Sequence, residues 1–311
     1  MIFSKTIVKL LSALIFTFTA ITLCAQIEVD IERDSATFTE NGQSILVYQI
    51  SEKSMDNTYS RSNYIHPLYS LDDIVLTEDF PRDHLHHRGI FWAWHQLYIG
   101  EKRIGDGWEI EDFRWEVAEV KEIFTSEPSR TIQATVYWKS PLWQDKEGNE
   151  KPFVKEVTKI TVQPIFDGER RITIEISLLA LERNVSIGGS EDEKGYGGFS
   201  ARINMPDDLV FTGQSGKVEP ENLPVNSGPW IDMTGSIGGS GNRGVTIIAH
   251  PDNPGYPNPW ILRSKGSMQN AVFPHPGRIP VNLSDSLPTI LKYQLVIHDG
   301  SKNSVNYGQF R

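Results

Sequence analysis

The residues best suited to chemistry lie in one short stretch, Asp83-His84-Leu85-His86-His87-Arg88-Gly89-Ile90-Phe91-Trp92-Ala93-Trp94-His95. It gathers four of the chain's eight histidines, an arginine and two tryptophans. Imidazole, with an unperturbed pKa of roughly 6.5, gives or takes a proton near neutrality, and several beside an arginine titrate as a coupled set. Proton transfer is the chemistry this implies, with His84, His86 and His87 as candidate catalytic residues. If Asp83 to Arg88 is extended, alternation puts His84, His86 and Arg88 on one face and Asp83 and His87 on the other. Arg88 would then orient a substrate or neutralise its carboxylate.

A second candidate region runs from Arg183 to Gly198 and on to Arg202. Gly188, Gly189, Gly195, Gly197 and Gly198 let the backbone turn tightly or close on a ligand. Tyr196 has a hydroxyl able to donate to a leaving oxygen, and Arg202 has a planar fork able to bind a carboxylate. A phosphate-binding loop is excluded, because there is no GxxxxGK[ST] pattern and no following helical period. His66, His250, Trp94 and Trp260 complete the candidate binding set; tryptophan faces stack on the apolar face of a sugar ring, although they also fill cores. His84 and His86, two apart on a strand, could ligate a metal with His66, His250 or a carboxylate, so a histidine-bound ion stays open. No other cofactor is implied.

The elements that must position these residues are strands. Asn41-Gly42 between Ser35–Glu40 and Gln43–Ile50 is a strong two-residue hairpin signal. The segment Asn63 to Tyr69, which carries His66, reads as a short extended piece halted by Pro67. Ile132, Ala134, Val136 and Trp138 alternate with polar residues, as do Ile172, Ile174, Ile176 and Leu178, and Leu291, Tyr293, Leu295 and Ile297. No segment shows a helical period. The expected fold is all-β, a large antiparallel β-sandwich.

Residues 1–25 read as an export signal: Lys5 and Lys9, then the apolar run Leu10 to Leu23, too short to span a bilayer comfortably, then Cys24-Ala25 before Gln26. The expected organisation is a signal over 1–25 and one catalytic β-sandwich domain over 26–311, in the periplasm or secreted. Lipid attachment at Cys24 is the lesser alternative, because Leu23 is bulky for that signal. Cys24 is the chain's single cysteine, which leaves the remainder without thiol, disulfide or thiolate metal site. Loss of Lys5 and Lys9 makes the formal net charge of −10 more negative still. A surface of that sign argues against nucleic acid and anionic membranes as partners. No second long apolar segment follows, and nothing indicates an oligomeric state.

Four motifs carry a resemblance: DHLHHRG at Asp83 to Gly89, KGYGGFSAR at Lys194 to Arg202, HPDNPGYPNPW at His250 to Trp260, and YQLVIHDG at Tyr293 to Gly300. The chain resembles a family of exported bacterial proteins labelled methane oxygenase PmoA. A membrane methane oxygenase needs membrane-spanning helices, so that label misleads and its activity is set aside. The β-rich pattern is also similar to the galactose-mutarotase type of super-sandwich, which implies a sugar as ligand. The histidines, Tyr196 and the arginines then suit β-elimination on a uronate, which needs a base, a donor to the leaving oxygen and positive charge at the carboxylate. The expected substrate is an anionic oligosaccharide from ulvan, alginate or pectin, and the expected enzyme an oligosaccharide dehydratase or polysaccharide lyase. A mutarotase, a metal-dependent sugar enzyme and a non-catalytic carbohydrate-binding protein are the alternatives.

Overall fold

A computed structural model describes residues 26–126, 128–300 and 310; residues 1–25, read above as an export signal, and Cys24 among them lie outside the described residues. Two large sheets dominate. One has eight strands in the order Ile27–Ile31, Ser35–Glu40, Gln43–Gln49, Tyr64–Leu68, Ile90–Trp94, Gly197–Ala201, Gln269–Val272 and Trp260–Ile261. The other has nine, running Arg114–Ile123, Arg130–Lys139, Val154–Val162, Glu169–Ala180, Thr289–His298, Arg243–Ala249, Trp230–Gly235, Val210–Gly213 and Gly216–Val218. Neighbouring strands in both are antiparallel, and no helix occurs among the described residues. The all-β sandwich expected from the alternation is what forms.

Local chemistry explains the regular parts. Asn41 and Gly42 both take positive φ, 50° and 82°, which is the backbone a two-residue hairpin turn requires. Ile132, Ala134, Val136 and Trp138 all point inward, as do Ile172, Ile174, Ile176 and Leu178. Pro67 does not end its strand: Tyr64–Leu68 runs through it, and a register shift between Leu46 and Tyr48 absorbs the residue that cannot donate.

The two sheets meet through aromatic rings. Trp92 and Phe199 are cross-strand partners in the first sheet, and Phe199 stacks at 4.3 Å on Tyr293 of the second. Below them Glu156 is fully buried and accepts hydrogen bonds from Trp92 Nε1 and Trp138 Nε1, one from each sheet, both at 2.8 Å.

A smaller four-stranded sheet, ordered Val281–Asn282, Val185–Gly188, Gln96–Ile99 and Lys102–Gly105, creates the corner that matters. The chain passes from Ile90–Trp94 in the large sheet to Gln96–Ile99 in the small one with only His95 between them. It returns from Val185–Gly188 to Gly197–Ala201 through the glycine-rich loop. The two candidate regions, distant in sequence, therefore cross between the same two sheets at the same corner. Gln96 ties them, donating from Nε2 to the Gly189 carbonyl at 2.7 Å.

Candidate active site

The histidine stretch is not extended. His84 N–H donates to Pro81 O at 3.1 Å and His87 N–H to His84 O at 2.9 Å, forming successive turns. The turns gather the imidazoles that strand alternation would have divided. His84 and His87 stack with centroids 4.6 Å apart, and His86 meets His87 edge-on at 4.5 Å.

Arginines hold this turn from within. Arg61, buried, donates to the carbonyls of His87 at 2.8 Å and Leu85 at 2.5 Å. Arg88 does not face a substrate as alternation suggested. It is 1% exposed, its guanidinium lies between the rings of Phe91 and Trp115, and its Nη1 donates to the His86 carbonyl at 3.1 Å. Burial, aided by Arg61, pushes it down to about 9, so it remains a cation at neutral pH. Arg202 is likewise committed inward. Its Nη2 and Nη1 take the two oxygens of Asp83 at 2.7 and 3.0 Å, and its Nε takes Glu78 at 2.7 Å. The carboxylate its fork binds belongs to the turn itself.

The cleft at this corner has a volume of about 310 Å³ and is lined by His84, His86, His87 and His95, by Trp108 and Glu109, by Ser190, Asp192, Lys194 and Tyr196, and by Ser267 and Met268. His86 Nδ1 lies 3.0 Å from Glu109 Oε2. Burial, followed by the charge of Arg88 and the neighbouring imidazoles, pushes His86 down to about 3. His87 is pushed down to about 2 by burial, then by His86, His84 and Arg202. Both are neutral at pH 7, whereas burial raises the carboxyl of Glu109. A neutral His86 can take a proton on its ring, and the Glu109 carboxylate in contact with Nδ1 is placed to support the imidazolium that forms.

His95 is hydrogen-bonded to Asp106, whose Oδ2 is 2.9 Å from Nδ1. Asp106 Oδ1 also accepts the backbone N–H groups of Trp108 and Glu109, both at 2.9 Å, and so sets the turn that aims Glu109 at His86. Asp106, Glu109 and His95 are not among the site residues singled out from the sequence, although Gly105-Asp106-Gly107-Trp108 has the composition of a tight turn. An Asp-Gly turn shortly after a histidine-bearing strand was the available signal.

Tyr196 does line the cleft, and its ring is 5.7 Å from that of Trp108. Its hydroxyl accepts from Arg263 Nε at 3.1 Å and Nη2 at 2.6 Å, a partner nothing in the sequence marked. The loop before it is built rather than free. Asp192 Oδ1 accepts from Ser190 Oγ at 2.6 Å and Lys194 N at 3.1 Å, and Tyr196 N donates to Ser190 Oγ at 2.9 Å. These bonds hold the Asp192 carboxyl below its usual range against the upward push of burial. The glycines serve packing, not closure over a ligand: a Cβ on Gly189 would sit 2.3 Å from the Gly195 carbonyl, and one on Gly195 would sit 2.8 Å from Gly277.

The remaining candidates lie elsewhere. Trp94 and Trp260 are core residues at 1% and 0% exposure, their indoles donating to the Phe273 and Gly228 carbonyls, so neither offers a face to a sugar. Trp108 reaches the cleft but is itself 2% exposed, so the aromatic crowding around Trp92 to Trp115 serves the core. His66 pairs with Thr77 Oγ1 at 2.9 Å, and His250 accepts from Asp252 N and packs against Phe310; neither lines the cleft. Neither therefore completes a ligand set with His84 and His86. Among the described residues no group of three or more His, Cys, Asp or Glu is arranged to hold a metal ion, and no helix is long and apolar enough to cross a membrane.

No curated protein matches the sequence. Among solved structures, the fold is similar to that of a protein described as a candidate mutarotase (YeaD) from Salmonella typhimurium, at 8% identity and a TM-score of 0.33, over 88% of this chain and 94% of that one. Residues 35–307 match the model of a family of unknown function, DUF6807, and the chain belongs to that family.

Proposed function

We propose that this chain is a carbohydrate-active carbon–oxygen lyase that removes water from the uronate at the end of an acidic oligosaccharide. The observation that carries the reading is one cleft lined by a neutral imidazole in contact with a carboxylate, His86 with Glu109, and by the phenol of Tyr196. In the elimination His86 takes the proton from C5, next to the carboxylate, and Tyr196 gives its proton to the oxygen on C4. The C4–O bond breaks, a C4=C5 double bond forms and water leaves. Glu109 supports the imidazolium as it forms, and the Lys194 ammonium meets the substrate carboxylate. A volume of about 310 Å³ is at the small end of ligand sites, which suits one terminal sugar better than a run of sugars along a chain. That favours dehydration at an end over cleavage within a polysaccharide. Export by residues 1–25 belongs to the same proposal.

One observation favours a second reading. Arg88 and Arg202 are both committed inward, and Lys194 lies 3.7 Å from Asp192, so the cationic partner for a uronate is modest. Interconversion of anomers needs only an acid and a base and no carboxylate on the sugar. The test is to incubate the protein with uronate-terminated oligosaccharides and follow the ultraviolet absorbance of the new double bond alongside product mass. Loss of one water is expected. Chain cleavage identifies a polysaccharide lyase instead, and unchanged mass with an altered anomer ratio a mutarotase. Binding without turnover across a broad panel identifies a carbohydrate-binding protein.

A further inference from the structure

Arg263 is placed to control the proton on Tyr196. Its five N–H groups are all accounted for: Nε and one Nη2 hydrogen go to the Tyr196 hydroxyl, and the rest go to the carbonyls of Glu221 at 2.7 Å, Leu262 at 2.8 Å and Asn222 at 3.0 Å. None goes to a carboxylate. The edge of the guanidinium that ordinarily grips the two oxygens of a carboxylate here converges on one phenol oxygen.

A phenol oxygen can accept twice and donate once. Both acceptor positions of Tyr196 are taken by Arg263, so its own hydrogen must point away from the guanidinium. No acceptor among the described residues takes it, and the side chain lines the cleft. We propose that Arg263 is a positioning residue that commits Tyr196 to donating its proton to a ligand oxygen in the cleft. The inference rests on the elimination reading for the identity of that oxygen, the hydroxyl on C4. When the proton leaves, the resulting phenolate faces two N–H donors of a cation, a charge-assisted arrangement stronger than the neutral one it replaces. The proton taken from C5 by His86 then restores Tyr196 through solvent, so the cycle consumes substrate and releases only the unsaturated sugar and water.

Arg263 also ties down the carbonyls of Glu221 and Asn222, so a purely structural role has to be separated from action through the phenol. A double-mutant cycle of Tyr196→Phe and Arg263→Lys does this, read as kcat on whichever substrate the native protein turns over, a uronate-terminated oligosaccharide or an aldose followed by polarimetry. Tyr196→Phe is expected to lower kcat by about 10²- to 10⁴-fold. Arg263→Lys, which keeps the charge but loses the fork, is expected to lower kcat by about tenfold with little change in KM, and to cost nothing further in the Tyr196→Phe background. Losses that multiply in the double variant would overturn the proposal. Neutron diffraction from deuterated crystals gives a second readout that needs no substrate: the Tyr196 deuterium should point into the cleft with two Arg263 deuterons on the phenol oxygen. A deuterium directed elsewhere, or Arg263 detached, also overturns it. If the native protein eliminates no water from uronates, the functional reading falls while the neutron map still decides the orientation.

Discussion

Arg202 grips both oxygens of Asp83, with Nη2 2.7 Å from Oδ1 and Nη1 3.0 Å from Oδ2. One partner follows the strand that emerges from the glycine-rich loop and the other opens the histidine turn, so this ion pair fixes the two halves of the cleft against each other. Asp83 feels burial pushing its carboxyl up, but the hydrogen bonds from Arg202 and His84 outweigh this and hold it down at about 2.

Arg202→Lys should therefore act on stability before it acts on substrate affinity. A lysine cannot span both carboxylate oxygens while also reaching Glu78, and hydrogen bonds to charged groups contribute about 1.5–3 kcal/mol each when well buried. Asp83 is partly exposed, which puts the loss at the lower end. The expected result is a lowered Tm together with a lowered kcat as the turn loosens. An unchanged Tm with a raised KM would mean that Arg202 contacts substrate after all. The sign with pH follows from the depressed carboxyl. The stabilisation is present above the unfolded value of roughly 3.9 and is lost as pH falls through about 2, so the deficit of the variant should shrink in that acid range.

The strands were legible in the sequence because alternation is a local property: Ile132, Ala134, Val136 and Trp138 announce their shared face without reference to anything distant. The histidine turn was visible as composition but not as shape, since it is closed by the Pro81 carbonyl and by Arg61, more than twenty residues away. The arginines illustrate the limit most clearly. A sequence shows a guanidinium but not its partner, and here Arg88 found two aromatic rings, Arg202 found Asp83 and Arg263 found Tyr196. Trp94 carried a signal that could have been used: it ends the unbroken apolar run Ile90–Trp94, and a run without alternation means a strand covered on both faces.

The two depressed histidines predict an acid sensitivity that begins near neutrality. In the folded protein His86 and His87 bind protons only at about 3 and about 2, whereas in the unfolded chain they do so near 6.5. Between those limits the unfolded state holds more protons, so stability is full above about 6.5 and declines as pH falls toward 3. Each histidine contributes a slope of up to about 1.4 kcal/mol per pH unit in that window. Denaturant titrations of the native protein and of His86→Asn and His87→Asn between pH 7 and pH 4 should show a shallower decline in each variant, by about one proton. Parallel curves for all three would show that the imidazoles are free to protonate in the fold.

Glu156 predicts how much the sandwich depends on a polar group at its centre. Oε1 accepts from Asn63 Nδ2 at 2.8 Å, Trp92 Nε1 at 2.8 Å and Thr158 Oγ1 at 2.6 Å, while Oε2 accepts from Trp138 Nε1 at 2.8 Å. The residue is fully buried, and burial raises its carboxyl. Three of the four partners are N–H groups that can only donate, and two of these come from tryptophans on opposite sheets, so the site requires an acceptor on both sides. Glu156→Gln keeps the shape but turns one side into a donor. The side facing Trp138 has the single partner to lose, so the amide nitrogen should settle there and leave an indole N–H opposed by another donor. An orphaned buried donor costs about 1–3 kcal/mol. Trp138→Phe in the Glu156→Gln background removes the opposed N–H and should recover part of that loss, although the smaller ring leaves a cavity of its own. Equilibrium unfolding of the two single variants and the double measures the coupling. Strictly additive losses would show that Trp138 and Glu156, on neighbouring strands of the nine-stranded sheet, do not share a hydrogen bond.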